Sequence, residues 1–232
     1  MNTPVVADNL REISNSLEQA SPEEILRWAA ATYGEKLTMA TAFGAEGCVI
    51  LAMLAEIAPK THVFNLETGY QFRETLELRE RIRERYGIEV AYVRPAETVE
   101  EMEARFGGPI YRTRPDECCR IRKVEPLRKA VAGFDAWISA IRRDQTPDRA
   151  RSGIVEWDGK FNLVKVNPLA NWTKEDVWSY IRANDVPYNP LHDEGYPSIG
   201  CWPCTRPADP GTDDRAGRWI GFAKTECGLH SK

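Results

Sequence analysis

Five short runs rich in β-branched and apolar residues, 37–43, 62–66, 90–93, 136–141 and 163–166, recur along the chain, each separated from the next by enough sequence for a crossover. Few folds accept that alternation. Parallel strands need long connections, and strands that read as continuous apolar runs must be covered on both faces. The expected fold class is therefore α/β: a mostly parallel sheet with helices on both faces, whose ligands bind at the carboxyl ends of the strands.

The intervening segments carry helix signals. Ser21-Pro22-Glu23-Glu24 and Thr173-Lys174-Glu175-Asp176 each offer a capping hydroxyl with an acid three residues on. Phe72, Leu76, Ile82 and Tyr86 keep an approximately helical apolar spacing, and Gly87 ends it. After about residue 184 the pattern gives way to Pro, Gly and aromatic residues. A long irregular stretch in a compact domain is usually disordered or functional, and its cysteines and tryptophans argue for function.

With 232 residues, 42% hydrophobic and 28% charged, the chain reads as one globular domain spanning 1–232. A net charge of -4 argues against a general nucleic-acid or membrane-surface binder, so any anion site must be local. The amino terminus has no basic stretch followed by an apolar one, and no segment approaches the roughly 20 apolar residues of a membrane span, so a cytoplasmic protein is expected. In that compartment six cysteines point to metal binding or thiol chemistry instead of disulfides. Cys48, within an apolar run, reads as an inert buried thiol.

The other five divide by spacing. Cys118-Cys119 and Cys201-Trp202-Pro203-Cys204 are pairs, and four thiolates suit a metal centre; on spacing alone a structural zinc site and an iron–sulfur cluster both remain open. Cys227 stands apart, near His230 and downstream of Arg215 and Arg218, where a thiol is shifted toward thiolate and suits a nucleophile. After the first strand, Thr41-Ala42-Phe43-Gly44-Ala45-Glu46-Gly47 forms a small-residue turn into an apolar helix. Such a turn can present backbone N–H groups to a phosphate, and it reads equally well as a plain connection. It matches neither Gly-x-Gly-x-x-Gly nor the Walker loop, which disfavours a dinucleotide fold and a Walker ATPase.

Taken in chain order, the 41–47 loop, Leu66-Glu67-Thr68-Gly69-Tyr70, Cys118-Cys119-Arg120-Ile121-Arg122-Lys123, Arg142-Arg143-Asp144-Gln145, Gly200-Cys201-Trp202-Pro203-Cys204 and Lys224-Thr225-Glu226-Cys227-Gly228-Leu229-His230 resemble the signature series of the sulfonucleotide reductases. The likeness is greatest to the assimilatory adenylylsulfate (APS) reductases. It implies a Rossmann-like fold of the adenine-nucleotide PP-loop type with an irregular, cysteine-containing C-terminal segment. It implies a [4Fe-4S] cluster on Cys118, Cys119, Cys201 and Cys204, and Cys227 as the nucleophile that takes up a sulfonate. Lys123, Arg215, Arg218 and His230 would contact the phosphosulfate; Thr41, Ala42, Phe43 and Gly44 the nucleotide phosphate and sugar; Leu66, Thr68 and Gly69 the adenosine; Ala140 the nucleotide through its backbone; Arg149 the ribose or phosphate. The segment 205–232 would be a mobile catalytic tail, and thioredoxin or a glutaredoxin the reductant. Oligomeric state is left open, a homo-oligomer included.

Three alternatives are weighed. A reductase of the 3′-phosphorylated nucleotide (PAPS) would share the mechanism, but the ribose-side loops 41–47 and 66–70 hold Glu46 and Glu67 and no cation, so only Arg73 or Arg149 could serve the extra phosphate. An ATP-dependent PP-loop sulfurtransferase or adenylyltransferase would want a Ser-Gly-Gly-x-Asp-Ser-like loop, which 41–47 lacks. A zinc-stabilised binding module would leave Cys227 and His230 without a role.

Overall fold

The structure of the protein, a computed structural model, describes residues 3–229. Six strands, β1 (Leu37–Thr41), β2 (His62–Leu66), β3 (Val90–Val93), β4 (Ala136–Ile138), β5 (Val155–Asp158) and β6 (Leu163–Val166), form one sheet in the order β3-β2-β1-β4-β6-β5. Neighbouring strands run parallel except β5 against β6. The chain leaves β1 for β2 and β3 on one side, then returns to the other side of β1 for β4. Crossovers diverge at that reversal and leave a crevice above the carboxyl ends of β1 and β4.

Around the sheet run α1 (Thr3–Ser16), α2 (Pro22–Tyr33), α3 (Ala45–Ile57), α4 (Arg73–Tyr86), α5 (Val99–Phe106), α6 (Pro115–Cys119), α7 (Glu125–Ala130) and α8 (Lys174–Asn184). The pleat sends Met39, Val63, Ile138 and Val166 into one core with Leu26, Leu51 and Val177 from α2, α3 and α8. Phe64, Trp137 and Leu163 point the other way, against Leu127 of α7. Both faces are thus covered. Packed against α2, α4 and α8, helix α3 buries every residue from Gly47 to Leu54, which explains why it is apolar all round. Within it Cys48 is fully buried, and loss of solvation pushes its thiol up to about 12.

The capping boxes at Ser21/Glu24 and Thr173/Asp176 form, as does a third at Thr98/Glu101, and Gly87 closes α4 in the left-handed conformation. Three details differ from the sequence reading. First, β1 and β4 stop at Thr41 and Ile138 instead of running to 43 and 141, because the chain turns there to wall the crevice. Second, α4 buries Thr75, Leu78 and Ile82, while Leu76 is 38% exposed and Phe72 is only the N-cap. Thr75 displaces Leu76 from the inner face because its hydroxyl accepts a hydrogen bond from Asn189 Nδ2 at 3.0 Å. Third, β5 was not anticipated. Its alternation Val-Glu-Trp-Asp followed by Asp158-Gly159 is the signal of a hairpin, and its pairing with β6 makes it the antiparallel edge. Among the described residues no helix is long and apolar enough to cross a membrane.

One close approach sets the shape of the crevice. A Cβ on Gly47 would lie 2.8 Å from Thr41 Oγ1, so α3 can rest on the end of β1 only with glycine there. The same hydroxyl accepts the Phe43 N–H at 3.1 Å, holding the turn. Gly47→Ala should therefore lower stability by ~1–3 kcal/mol in urea unfolding. The loss should be smaller when Thr41→Ala is already present, since the clash is then relieved.

Candidate active site

The crevice, about 240 Å³, has the strand ends Ala40, Thr41, Asn65, Leu66, Trp137 and Ser139 as its floor. Along one wall runs the turn into α3. Gly44 at the N-cap brings no side chain, so the first-turn N–H groups of α3 have no side-chain cap where residues 44–47 line the crevice. The opposite wall is built from residues 197–201, Arg215, Arg218 and Cys227.

Of the nucleophile and substrate contacts singled out in the sequence, Thr41, Ala42, Gly44, Leu66, Thr68, Lys123, Ala140, Arg149, Arg215, Arg218 and Cys227 all line this one space. Two do not. Phe43 has a left-handed backbone, φ 55°, unusual for a bulky residue, and its ring is buried in the core. Gly69 also has positive φ and packs behind the crevice, where a Cβ would meet Val99 at 2.5 Å and Arg122 at 3.0 Å. His230 lies outside the described residues.

Five cations border the space, and carboxylates sort them. Arg142 is held by Glu46 and by Asp144 at 2.9 Å, and Glu46 also accepts from Gln145 at 3.0 Å. Arg149 grips Glu226 with two bonds of 2.8 and 2.9 Å and gives its third nitrogen to Gln145. Arg215 bonds the Thr225 carbonyl at 3.0 and 2.8 Å and approaches Glu226 at 3.4 Å. Arg218 has no carboxylate partner among the described residues. It donates to Ser198 Oγ at 3.2 Å, lies over the Trp219 ring, and leaves its buried Nε unpaired. Lys123 likewise makes no hydrogen bond or ion pair with any described residue; burial opposes its charge, and the sulfurs of Cys201, Cys119 and Cys227 more than offset that, raising its pKa. Two unpaired cations beside a thiol make an anion site.

The four paired cysteines line a separate narrow gap together with Lys123, Tyr70 and Trp219. Cys118 and Cys119 close α6, and the helix continues through a π-helical turn, Arg120–Val124. Such turns are frequent at functional sites. The second pair is pinned across from them: Gln71 bridges Cys201, the Trp202 N–H donates to the Tyr70 carbonyl at 2.8 Å, and the Trp219 N–H donates to the Cys204 carbonyl at 3.1 Å. Thr68 Oγ1 lies 3.4 Å from Cys201 Sγ. Burial and the neighbouring cysteines push Cys118 up to about 12; burial, the main cause, pushes Cys119 to about 11 and raises Cys204. Such a donor set can ionise together only around a positive centre.

Cys227 has the opposite environment. Burial and the nearby Glu226 charge oppose its ionisation, but Lys123, a backbone hydrogen bond from Leu229 and Arg218 prevail, and its pKa falls below the usual thiol value. The backbone around it is tied at several points, since Lys160 donates to the Gly228 carbonyl and Lys224 pairs with Asp116. Several members of the site were not marked as site residues from sequence: Asn65, Ser139, Arg142, Gln145, Ser198 and Glu226. Asn65 and Ser139 had a signal, being polar residues at the ends of buried apolar strands. Glu226 had none.

A model of the phosphoadenosine phosphosulfate reductase domain matches residues 36–207. The phosphoadenosine 5′-phosphosulfate reductase of Gloeobacter violaceus is 48% identical, over 96% of this chain and 93% of that protein. Adenosine 5′-phosphosulfate reductase 2 of Bacillus subtilis is 48% identical, over 90% of this chain and 89% of its own. Among solved structures, the phosphoadenylyl-sulfate reductase of Candida auris in its phosphate complex superposes with a TM-score of 0.77 at 31% identity, covering 86% of this chain and 97% of that one. An FMN adenylyltransferase of Candida glabrata, 15% identical with a TM-score of 0.58 over 83% of this chain and 65% of its own, shares the fold alone. With two relatives this similar across nearly its whole length, and a domain match over most of it, the chain belongs to the phosphoadenosine phosphosulfate reductase domain family.

Proposed function

We propose that the protein reduces adenosine 5′-phosphosulfate to sulfite and AMP in assimilatory sulfate reduction. The observation that carries the reading is the Cys227 thiol at a nucleotide-type crevice, beside the two cations, Lys123 and Arg218, that no described carboxylate neutralises. Attack by a thiolate on a phosphosulfate brings two anions together, and fixed positive charge must offset their repulsion. The Cys227 sulfur forms a bond to the sulfonate sulfur as the S–O bond to phosphate breaks, and AMP leaves with the electron pair. An external dithiol, thioredoxin or a glutaredoxin, then attacks the Cys227 sulfur and sulfite departs. Its second thiol displaces Cys227 as thiolate, so the dithiol ends as a disulfide and supplies the two electrons that take sulfur from sulfate to sulfite level. The segment 205–232 serves as the tail that presents Cys227 first to substrate, then to reductant.

Cys118, Cys119, Cys201 and Cys204 would hold a [4Fe-4S] cluster. Four sulfurs ringing one gap, hard to ionise without a positive centre, suit it. They do not meet at a point, for among the described residues no three Cys, His, Asp or Glu converge as the ligands of a single ion do. Bound there, the cluster would tie the two cysteine segments together and set the field beside Lys123, while the electrons for the reaction come from thiols.

The 3′-phosphorylated nucleotide is the rival substrate, and pairing within the site disfavours it. Arg73 is exposed, pairs with Glu77 and does not line the crevice; Arg149 is engaged at all three nitrogens. Glu67, which the sequence counted against the extra phosphate, instead turns away, accepting the Gly69 N–H at 2.7 Å and facing Arg94, so it does not repel a ligand in the crevice. An extra phosphate left unpaired would cost about 1–3 kcal/mol.

Three outcomes check these statements. Wild-type protein mixed with APS and no reductant should show one sulfonate adduct, on the Cys227 peptide, by mass spectrometry; Cys227→Ser should bind AMP and form none, and an adduct on Cys48 would overturn the assignment. Anaerobically purified Cys119→Ser or Cys201→Ser should lose visible colour, and iron and sulfide contents equal to wild type in either variant would refute the ligand set. Finally, kcat/KM measured with one reductant should be higher for APS than for PAPS, and the reverse order would reassign the substrate while leaving the Cys227 chemistry intact.

A further inference from the structure

Glu226 is the only charged side chain between residues 225 and 229, and it is buried at 8% exposure while its neighbour Cys227 lines the crevice. It does not itself line that space. It lies behind the backbone, in a two-bond grip from Arg149 and near Arg215. The other hydrogen bonds to side chains from 225–229 use the carbonyls of Thr225 and Gly228, which almost any sequence would offer, and Leu229 packs against the Phe64, Leu127 and Trp137 cluster, an apolar contact that carries no charge. A buried carboxylate is strongly unfavourable unless paired, so a tail docked one residue out of register, or with Glu226 unseated, would leave an uncompensated charge on both sides.

We infer that Glu226 is a positioning residue for Cys227 and that Arg149 serves this grip, not the substrate. Arg149 borders the crevice, which is why it reads from sequence as a nucleotide contact. Yet its Nε and Nη2 are on Glu226 and its Nη1 is on Gln145, so Glu226 already neutralises its charge and fixes its orientation, and only the second hydrogen of each Nη is left for any other acceptor. The grip sets where the Cys227 sulfur stands, within the reach of Lys123 and Arg218 that lowers its pKa. Small displacements of a reacting atom slow a reaction far more than they weaken binding. The inference rests on Cys227 being the nucleophile.

The test uses the full-length, cluster-containing protein and the variants Glu226→Gln, Arg149→Gln, Arg149→Lys, the double Arg149→Gln/Glu226→Gln, and the exchanged pair Arg149→Glu/Glu226→Arg. Three quantities are read: AMP affinity by calorimetry, the single-turnover rate of AMP release from APS without reductant, and the rate of Cys227 alkylation by iodoacetamide, followed by mass spectrometry. In Glu226→Gln and Arg149→Gln, AMP affinity should stay within about 3-fold of wild type while single-turnover AMP release slows by about 30-fold or more. The double variant should be no slower than either single one, Arg149→Lys should fall between, and the exchanged pair should regain part of the rate. Loss of AMP affinity by about tenfold in Arg149→Gln, with Glu226→Gln turning over like wild type, would make Arg149 a substrate contact and overturn the inference. Should wild type release no AMP, the nucleophile reading fails on its own. Alkylation measured above the Cys227 pKa, where the Glu226 charge no longer sets the thiolate fraction, still reports the grip, and the same limiting rate in Glu226→Gln as in wild type would refute it.

Discussion

Carboxylates determine how the site works, because a crevice bordered by five cations would repel itself apart unless most were neutralised. Glu46 takes Arg142, and Glu226 takes Arg149 and approaches Arg215. What remains without a carboxylate among the described residues is Lys123 and Arg218, both near enough to the thiol to lower its pKa. In a chain whose net charge is -4, that local surplus is what would admit a polyanion, and its position next to Cys227 also favours the thiolate. The same subtraction limits how much negative charge the crevice can accept elsewhere.

The sheet makes this concentration feasible. Because strand order reverses between β1 and β4, their carboxyl ends are left open by the crossovers, and residues from α3, the β2–α4 turn, the cysteine helix and the C-terminal segment meet above them. Close contacts keep the walls in place. Gly47 lets α3 rest against Thr41, and Gly200 leaves room for the Arg218 guanidinium, which a side chain there would strike.

The run Arg120-Ile121-Arg122-Lys123 shows how one basic cluster separates into three roles. Successive residues of a helical turn, the π-helical one here included, point in different directions, so neighbours in sequence face different surroundings. Arg120 reaches solvent and pairs with Glu117 and Glu125. Arg122 is buried and ties two loops together through the carbonyls of Thr68 at 2.7 Å and Glu97 at 2.8 Å. Lys123 faces the gap between the cysteines and the crevice, in contact with both spaces. Of the three, Arg120 alone is a solvent-facing charge paired with acids.

Hydrophobic periodicity and capping chemistry are local, so the α/β class, the parallel strands, the helix starts at Ser21 and Thr173 and the stop at Gly87 were legible in the sequence. So was the division of the cysteines, since two pairs and a lone thiol are a matter of spacing. Where side chains compete for partners, sequence was silent. The inner face of α4 was settled by a hydrogen bond from Asn189, far along the chain, whereas the β5 edge does carry a local signal, the alternation Val-Glu-Trp-Asp before Gly159. Phe43 sits in the motif yet turns into the core, because its backbone takes a left-handed conformation that a one-dimensional pattern does not display. Above all, which arginines are paired was decided in three dimensions: Arg149 and Glu226 are 77 positions apart, and their meeting inside a buried site, where an unpaired charge is so unfavourable, is a property of the tertiary structure alone.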